Sequence, residues 1–222
     1  MAGSSRYDYL RDPDAIYRLS FQMIRDEVDL SHLPPGIDEL ALRLIHASAM
    51  PDILPDLVWT PDLPLAVHDA LRAGRPILSD VDMVAYGVIR SRLPANNPVL
   101  SFLNTPEARE IGRTKQITRS AAAVELWQPH LARAVVVIGN APTALFRLLE
   151  LLLDEGAPKP AAILGFPVGF VGAAESKQAL IDAAPEGVAF ATLKGRRGGS
   201  AMAAAAINAL AAWEPAKEKV AP

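Results

Sequence analysis

The sequence predicts an α/β protein built on a five-stranded, mainly parallel sheet with helices on both faces. Three observations predict it. From residue 76 onward, short apolar runs alternate with helical segments. The runs are continuous rather than alternating, as in strands covered on both sides. The segments between them carry helix-start signals and apolar residues at helical spacing.

Each element follows in order. Asp12-Pro13 reads as an N-cap with proline at the first helical position. The helix it opens places Ile16, Leu19, Met23, Ile24 and Val28 at helical spacing. A second helix starts after Pro34-Pro35, with Ile37, Leu40, Leu44 and Ile45 as its apolar face, and stops at Pro51. A third, "LPLAVHDALRAG", ends at Gly74. Five strands follow: "PILS", "VLSFL", "AVVVIG", "AAILGF" and "GVAFATL". Between them lie helices in "DVDMVAYG", "TPEAREIG", "TKQITRSAAAVELW", "APTALFRLLELLLDEG" and "AAESKQALIDA", and "SAMAAAAINALAAW" closes the fold. No repeat or low-complexity linker divides the chain, so residues 1–222 read as one domain. Residues 1–5 and 214–222 are expected to fray.

Composition narrows the function classes. The 222 residues are half hydrophobic, and there is no cysteine, which removes disulfides, thiolate metal sites and a cysteine nucleophile. The net charge of −3 and the lack of a dense Lys/Arg block argue against nucleic acid as a partner. The longest apolar stretch is broken by Arg147 and Glu150, and no signal peptide is visible, so no membrane is expected and the expected location is the cytoplasm. No histidine pair has metal-ligand spacing, so no metal is expected. No G-x-S-x-G elbow is present.

In parallel sheets of this kind ligands bind at the carboxyl ends of the strands, so the loops there carry the candidates. "VIGNAPTAL" places Asn140 before a helix whose free N–H groups can face an anion, or it is an ordinary turn. "GFPVGFVGAAESK" has three glycines among apolar residues, without a dinucleotide or phosphate-loop pattern. It suits the edge of a large flat ligand or a tight packing loop. "KGRRGGSAMAAAA" joins Arg197, Gly199 and a capping Ser200 into a candidate carboxylate or phosphate site, or a capped turn with solvated arginines. "QITRSAAAVELW" brings Thr118, Arg119 and Ser120 to another helix start. Arg43 and His46, three apart, share a helix face. Arg43 needs an anionic partner, either a ligand or one of Asp38, Glu39 and Asp52, and His46 is either chemical or a satisfied core histidine.

Taken together, "AIYRLSFQMIRDE", "LRLIHASAM", "TRSAAAVELW", "IGNAPTALFRLLEL", "GAPKPAAILGFPVGFVGAAESK" and "GRRGGSAMAAAAINALA" resemble the precorrin-8X methylmutase family of cobalamin biosynthesis. They occur in the family's order across about residues 6 to 212. The resemblance implies a three-layer, flavodoxin-like α/β/α fold and a homodimer with active sites near the subunit interface. It implies an isomerase that moves a methyl group from C-11 to C-12 of the corrinoid ring, converting precorrin-8X to hydrogenobyrinate with no added cofactor. The catalytic histidine falls on His46. The substrate-contacting serine and arginine fall on Ser20 and Arg43, with Tyr17 beside them in "IYRLSF". Two positions depart from the family: Ile89 stands where threonine or asparagine is frequent, and Ser79 where cysteine is.

A precorrin is a flat macrocycle edged with acetate and propionate carboxylates. Apolar glycine loops suit its face, and Arg43, Arg119, Arg197 and the helix starts suit its rim. His46 is expected to donate or share a proton near ring C, making the π system electron-poor and easing a 1,5-sigmatropic shift. Handover to neighbouring pathway enzymes is a further expectation. The very apolar Leu145–Leu153 helix is either a dimer contact or core. Three rivals stand beside this reading. One is a cobalt-precorrin-8 methylmutase, against which "TRSAAAVELW" and "GRRGGSAM" lean. The others are a non-catalytic corrinoid carrier and a nucleotide- or flavin-binding domain.

Overall fold

The computed structural model describes residues 6–215. Its core is a six-stranded sheet: β1 (Leu57–Trp59), β2 (Ile77–Ser79), β3 (Val99–Ser101), β4 (Val135–Ile138), β5 (Ala162–Gly165) and β6 (Ala189–Leu193). Their order across the sheet is β1-β6-β5-β4-β2-β3. Strands β2 to β6 run parallel, each at an expected position. The expectation of five strands is corrected by β1, a three-residue edge strand antiparallel to β6, with Leu57 opposite Leu193. It lies directly after Pro55 and is too short to show a period.

The inner strands are buried throughout, whereas β3 at one edge is only half-buried. Side chains alternate between two cores, as strand geometry requires. Val135, Val137, Leu164 and Ala191 face a layer containing α2 (Ile37–Ser48), α3 (Leu63–Arg72) and α10 (Ser200–Ala211). Val136, Ile138, Ile163 and Phe190 face α6 (Arg119–Glu125), α7 (Gln128–Leu131), α8 (Pro142–Leu153) and α9 (Ala173–Ala183). Leu145, Leu148, Leu149, Leu151 and Leu152 are buried there, so α8 is core, and of its leucines only Leu153 is exposed.

Helix α1 (Pro13–Glu27) is different. Asp12 caps it, accepting from the Ala15 N–H at 2.7 Å, as the sequence leads one to expect. Yet none of its residues is buried. It leans on α2, with Phe21 and Ile24 against the core, and leaves Ile16, Leu19 and Met23 exposed. The expected single helix over 114–127 is two helices: α5 (Pro106–Lys115) ends at a left-handed Gln116, and Thr118 caps α6. The fraying expected at 1–5 and at 216–222 lies outside the described residues, and Glu214 is held by Arg72 at 2.8 Å.

The strand order reverses between β2 and β4, which in open α/β sheets opens a crevice at the carboxyl ends. Here Asp80 fills it. Its carboxylate, fully buried, accepts from the N–H groups of Gly139, Asn140 and Ala141 at 2.8 to 2.9 Å. Gly139 is required by close approach, because a Cβ there would sit 2.7 Å from Ser200 Cα. The neighbouring Ser79 is also buried, its hydroxyl donating to the Leu100 carbonyl at 3.3 Å.

Candidate active site

The candidate site is built where α1 crosses the last turn of α2. Helical spacing puts Tyr17, Ser20 and Phe21 on the α1 face that meets His46. Ser20 Oγ and His46 Nδ1 are hydrogen-bonded at 2.9 Å. The Phe21 ring meets the imidazole edge-on at 5.1 Å, and Tyr17 lies over it at 5.7 Å. When Ser20 donates, the ring proton sits on Nε2. That nitrogen has no hydrogen-bond partner among the described residues. His46 and Ser20 line a cavity of about 470 Å³ whose other walls are mostly apolar, including Leu19, Met23, Ile45 and Pro51. The cavity falls within the size range of ligand sites. His46 is therefore not a core histidine: it is exposed, oriented by a hydroxyl, and beside an apolar hollow.

Arg43, one turn earlier, is half-buried with its guanidinium 5.1 Å from the Phe21 ring. The three acids that could have neutralised it are engaged elsewhere. Glu39 pairs with Arg25 at 3.3 Å, Asp52 with Arg197 at 2.7 Å, and Asp38 accepts from the Gly36 and Glu39 N–H groups. Burial, and then the charge of Arg92, hold the Arg43 pKa below its ordinary value, with Glu39 acting the other way. Arginine remains charged through such shifts.

The glycine loops after β5 and β6 lie against each other and near the end of α2. Met50, Val168, Phe170, Arg196 and Arg197 line a second hollow of about 230 Å³ there. Arg197 is paired with Asp52 at 2.7 Å. One expectation for this region is corrected. Ser200 does not cap α10: Gly199 occupies the cap position, without a side-chain cap, and its N–H donates to the Phe166 carbonyl at 2.8 Å. The loop is fixed from below by Lys177, which is fully buried and donates to the Arg197 carbonyl.

Burial pushes the Lys177 ammonium down to about 8, with Asp56 opposing. An unfolded lysine titrates near about 10.4. Between these values the unfolded chain binds more protons, so this group adds stability as pH rises through the window and none below it. Urea denaturation of the wild type, minus that of Lys177→Met, is expected to grow by about 2–3 kcal/mol from about pH 8 to about pH 10. A flat difference would contradict it.

Of the remaining expected residues, Thr118, Arg119 and Ser120 lie on the opposite helix layer and Asn140 in the turn from β4 to α8. Thr118 is an N-cap, accepting from the Ala121 N–H at 3.2 Å and sharing a hydrogen bond with Thr143 Oγ1 at 2.8 Å. Arg119 is exposed and Ser120 half-buried beside it. Asn140 is exposed, but the backbone donors expected to face a ligand there are taken by Asp80. The structure thus brings Tyr17, Ser20, Arg43 and His46 together, sets Arg197, Gly199 and Ser200 beyond the end of α2 with Asn140 in the neighbouring turn beside Ser200, and puts Thr118, Arg119 and Ser120 at the start of α6, where Thr118 touches α8. Sequence reasoning missed Phe21 and Arg92. Phe21, four residues after Tyr17 in "IYRLSF", could have been found from helical spacing.

Comparisons with known proteins bear on this arrangement. A family model described as precorrin-8X methylmutase matches residues 15–213. A precorrin-8X methylmutase of Pseudomonas aeruginosa is 57% identical over 92% of this chain and 97% of its own length. A cobalt-precorrin-8 methylmutase of Methanothermobacter thermautotrophicus is 36% identical over 91% and 94%. The crystal structure of a precorrin-8X methylmutase from Thermus thermophilus superposes with a TM-score of 0.79 at 36% identity, covering 89% of this chain and 94% of that one.

Proposed function

The chain belongs to the precorrin-8X methylmutase family, and on that footing we propose that it isomerises precorrin-8X to hydrogenobyrinate by moving a methyl group from C-11 to C-12. The observation that carries the reading is the Ser20–His46 pair beside an apolar cavity, where among the described residues Nε2 is free and the arginine one turn away has no carboxylate partner.

In this reading Ser20 orients the imidazole, and Tyr17 and Phe21 hold its plane. His46 gives or shares a proton with the ring near C-11 and C-12. The cation so formed is electron-poor, the methyl group shifts as C–C bond breaking and making proceed together, and the proton returns. Reactant and product have the same composition, so no redox partner is required. Arg43 takes a peripheral carboxylate and sets the ring edge against His46. Arg197, Gly199 and Ser200, with Thr118, Arg119, Ser120 and Asn140, are assigned to the rim of the bound macrocycle, in a flavodoxin-like sheet whose five parallel strands support that description. A second copy of the chain is assigned to the exposed apolar side of α1, giving a homodimer. No helix of the described residues is long and apolar enough to cross a membrane, and a cytoplasmic enzyme handing its product to the next pathway enzyme accords with that. The metal-free substrate is preferred because the identity to the precorrin-8X enzyme exceeds that to the cobalt-precorrin-8 enzyme.

The test is direct. Incubation with precorrin-8X is expected to shift the absorption spectrum to that of the product, faster than cobalt-precorrin-8 is converted. Faster conversion of the cobalt compound would reverse the branch. Binding without a spectral change would mark a carrier rather than an enzyme.

A further inference from the structure

Arg92 ends a short 3-10 turn (Arg90–Arg92) between α4 (Asp82–Gly87) and β3. That turn is held in place from α10. Asn208 Oδ1 accepts from the Ile89 N–H, and its Nδ2 donates to the Gly87 carbonyl, both at 2.8 Å. Leu93, the next residue, packs on the same core as Leu40 and Leu44 of α2. The turn is thereby placed on the α2 side of the sheet, with the charge of Arg92 within electrostatic reach of Arg43. Arg92 Nη1 is buried and has no hydrogen-bond partner among the described residues. Neither arginine has a carboxylate partner among the described residues, and the nearby Glu39 is occupied by Arg25.

Two like charges within electrostatic reach, one with a buried and unbonded N–H, are costly unless an anion joins them. The planar fork of arginine matches a carboxylate. We propose that Arg92 is a substrate-positioning residue that, together with Arg43, clasps one peripheral carboxylate of the corrinoid. A corrinoid carboxylate is the ligand under the function proposed above, on which this assignment rests. A ring edge clasped beside Arg43 is fixed one helical turn from His46. Asn208 has a part in this only by holding the turn that carries Arg92.

Steady-state kinetics of Arg92→Met and Arg92→Lys with precorrin-8X test the clasp, alongside hydrogenobyrinate binding and melting of the ligand-free protein. Arg92→Met is expected to raise KM and weaken product binding by about tenfold or more, with kcat within about threefold. Arg92→Lys is expected to recover part of the loss, since it restores the charge without the fork. The melting midpoint of the free protein is expected to stay level or rise, because a repulsion and an orphaned donor are removed. Unchanged KM and product binding would overturn the assignment. So would weakened binding accompanied by a lowered midpoint, which marks an arginine that holds the fold. If wild-type protein binds the product but does not turn over precorrin-8X, the proposed function fails while the binding comparison still decides on Arg92.

Discussion

Replacing His46 by alanine is expected to lower turnover of precorrin-8X by about 10²–10⁴-fold, the range that a positioned proton donor contributes. The fold is expected to survive, because His46 is exposed on the last turn of α2 and the only side-chain hydrogen bond it makes among the described residues is to Ser20. Product binding should change little, since the carboxylate anchors remain. Ser20→Ala removes the orienting hydroxyl but leaves the imidazole, so it should fall between wild type and His46→Ala. Single-turnover rates with the product chromophore as signal, with circular dichroism as the folding control, separate these outcomes. Near-wild-type turnover in a folded His46→Ala protein would remove the histidine from the chemistry and leave electron demand to be met by the arginines alone.

The second large effect concerns stability. Asp80→Ala is expected to cost at least about 3 kcal/mol, because it strands three backbone N–H groups in a buried place, each at about 1–3 kcal/mol. Those donors come from Gly139, Asn140 and Ala141, where β4 turns into α8. Burial raises the Asp80 pKa and these N–H bonds lower it. The carboxylate and the turn thus depend on each other. Asp80→Asn keeps the shape and one acceptor oxygen, so it should lose less than alanine. Urea denaturation at neutral pH measures both, and a loss below about 1 kcal/mol for alanine would mean that the turn relaxes to find other acceptors.

How far the sequence reached can be argued from particular residues. The five parallel strands were legible because buried parallel strands are continuous apolar runs, and "VVVI" or "AILG" reads as nothing else at that length. The sixth, Leu57–Trp59, was not, because three residues, one buried and two half-buried, carry no period. A local cap was legible at Asp12, where the side chain bonds a backbone N–H three residues on. Ser200 misled because its neighbour Gly199 takes the cap position instead. Long-range pairing was the main gap. Asp80 meets Gly139, and Asp52 meets Arg197, across separations no local pattern encodes. Ser20 and His46 lie on different helices, and only the family resemblance joined them before the geometry did. Arg92 sits in "RSRLP", which reads as an ordinary polar turn, and nothing local distinguishes it from Arg90.

Helix α1 has no buried residue, yet it supplies the serine that orients the histidine and both rings around it. Segments with few buried contacts open at the low end of a protein's free-energy range, well before global unfolding. Catalytic competence and global stability are therefore separate quantities in this molecule. A chain can retain its sheet and both cores while α1 swings away and the Ser20–His46 pair opens, so with His46 as the proposed proton donor, whatever clamps α1 sets the working fraction of the enzyme.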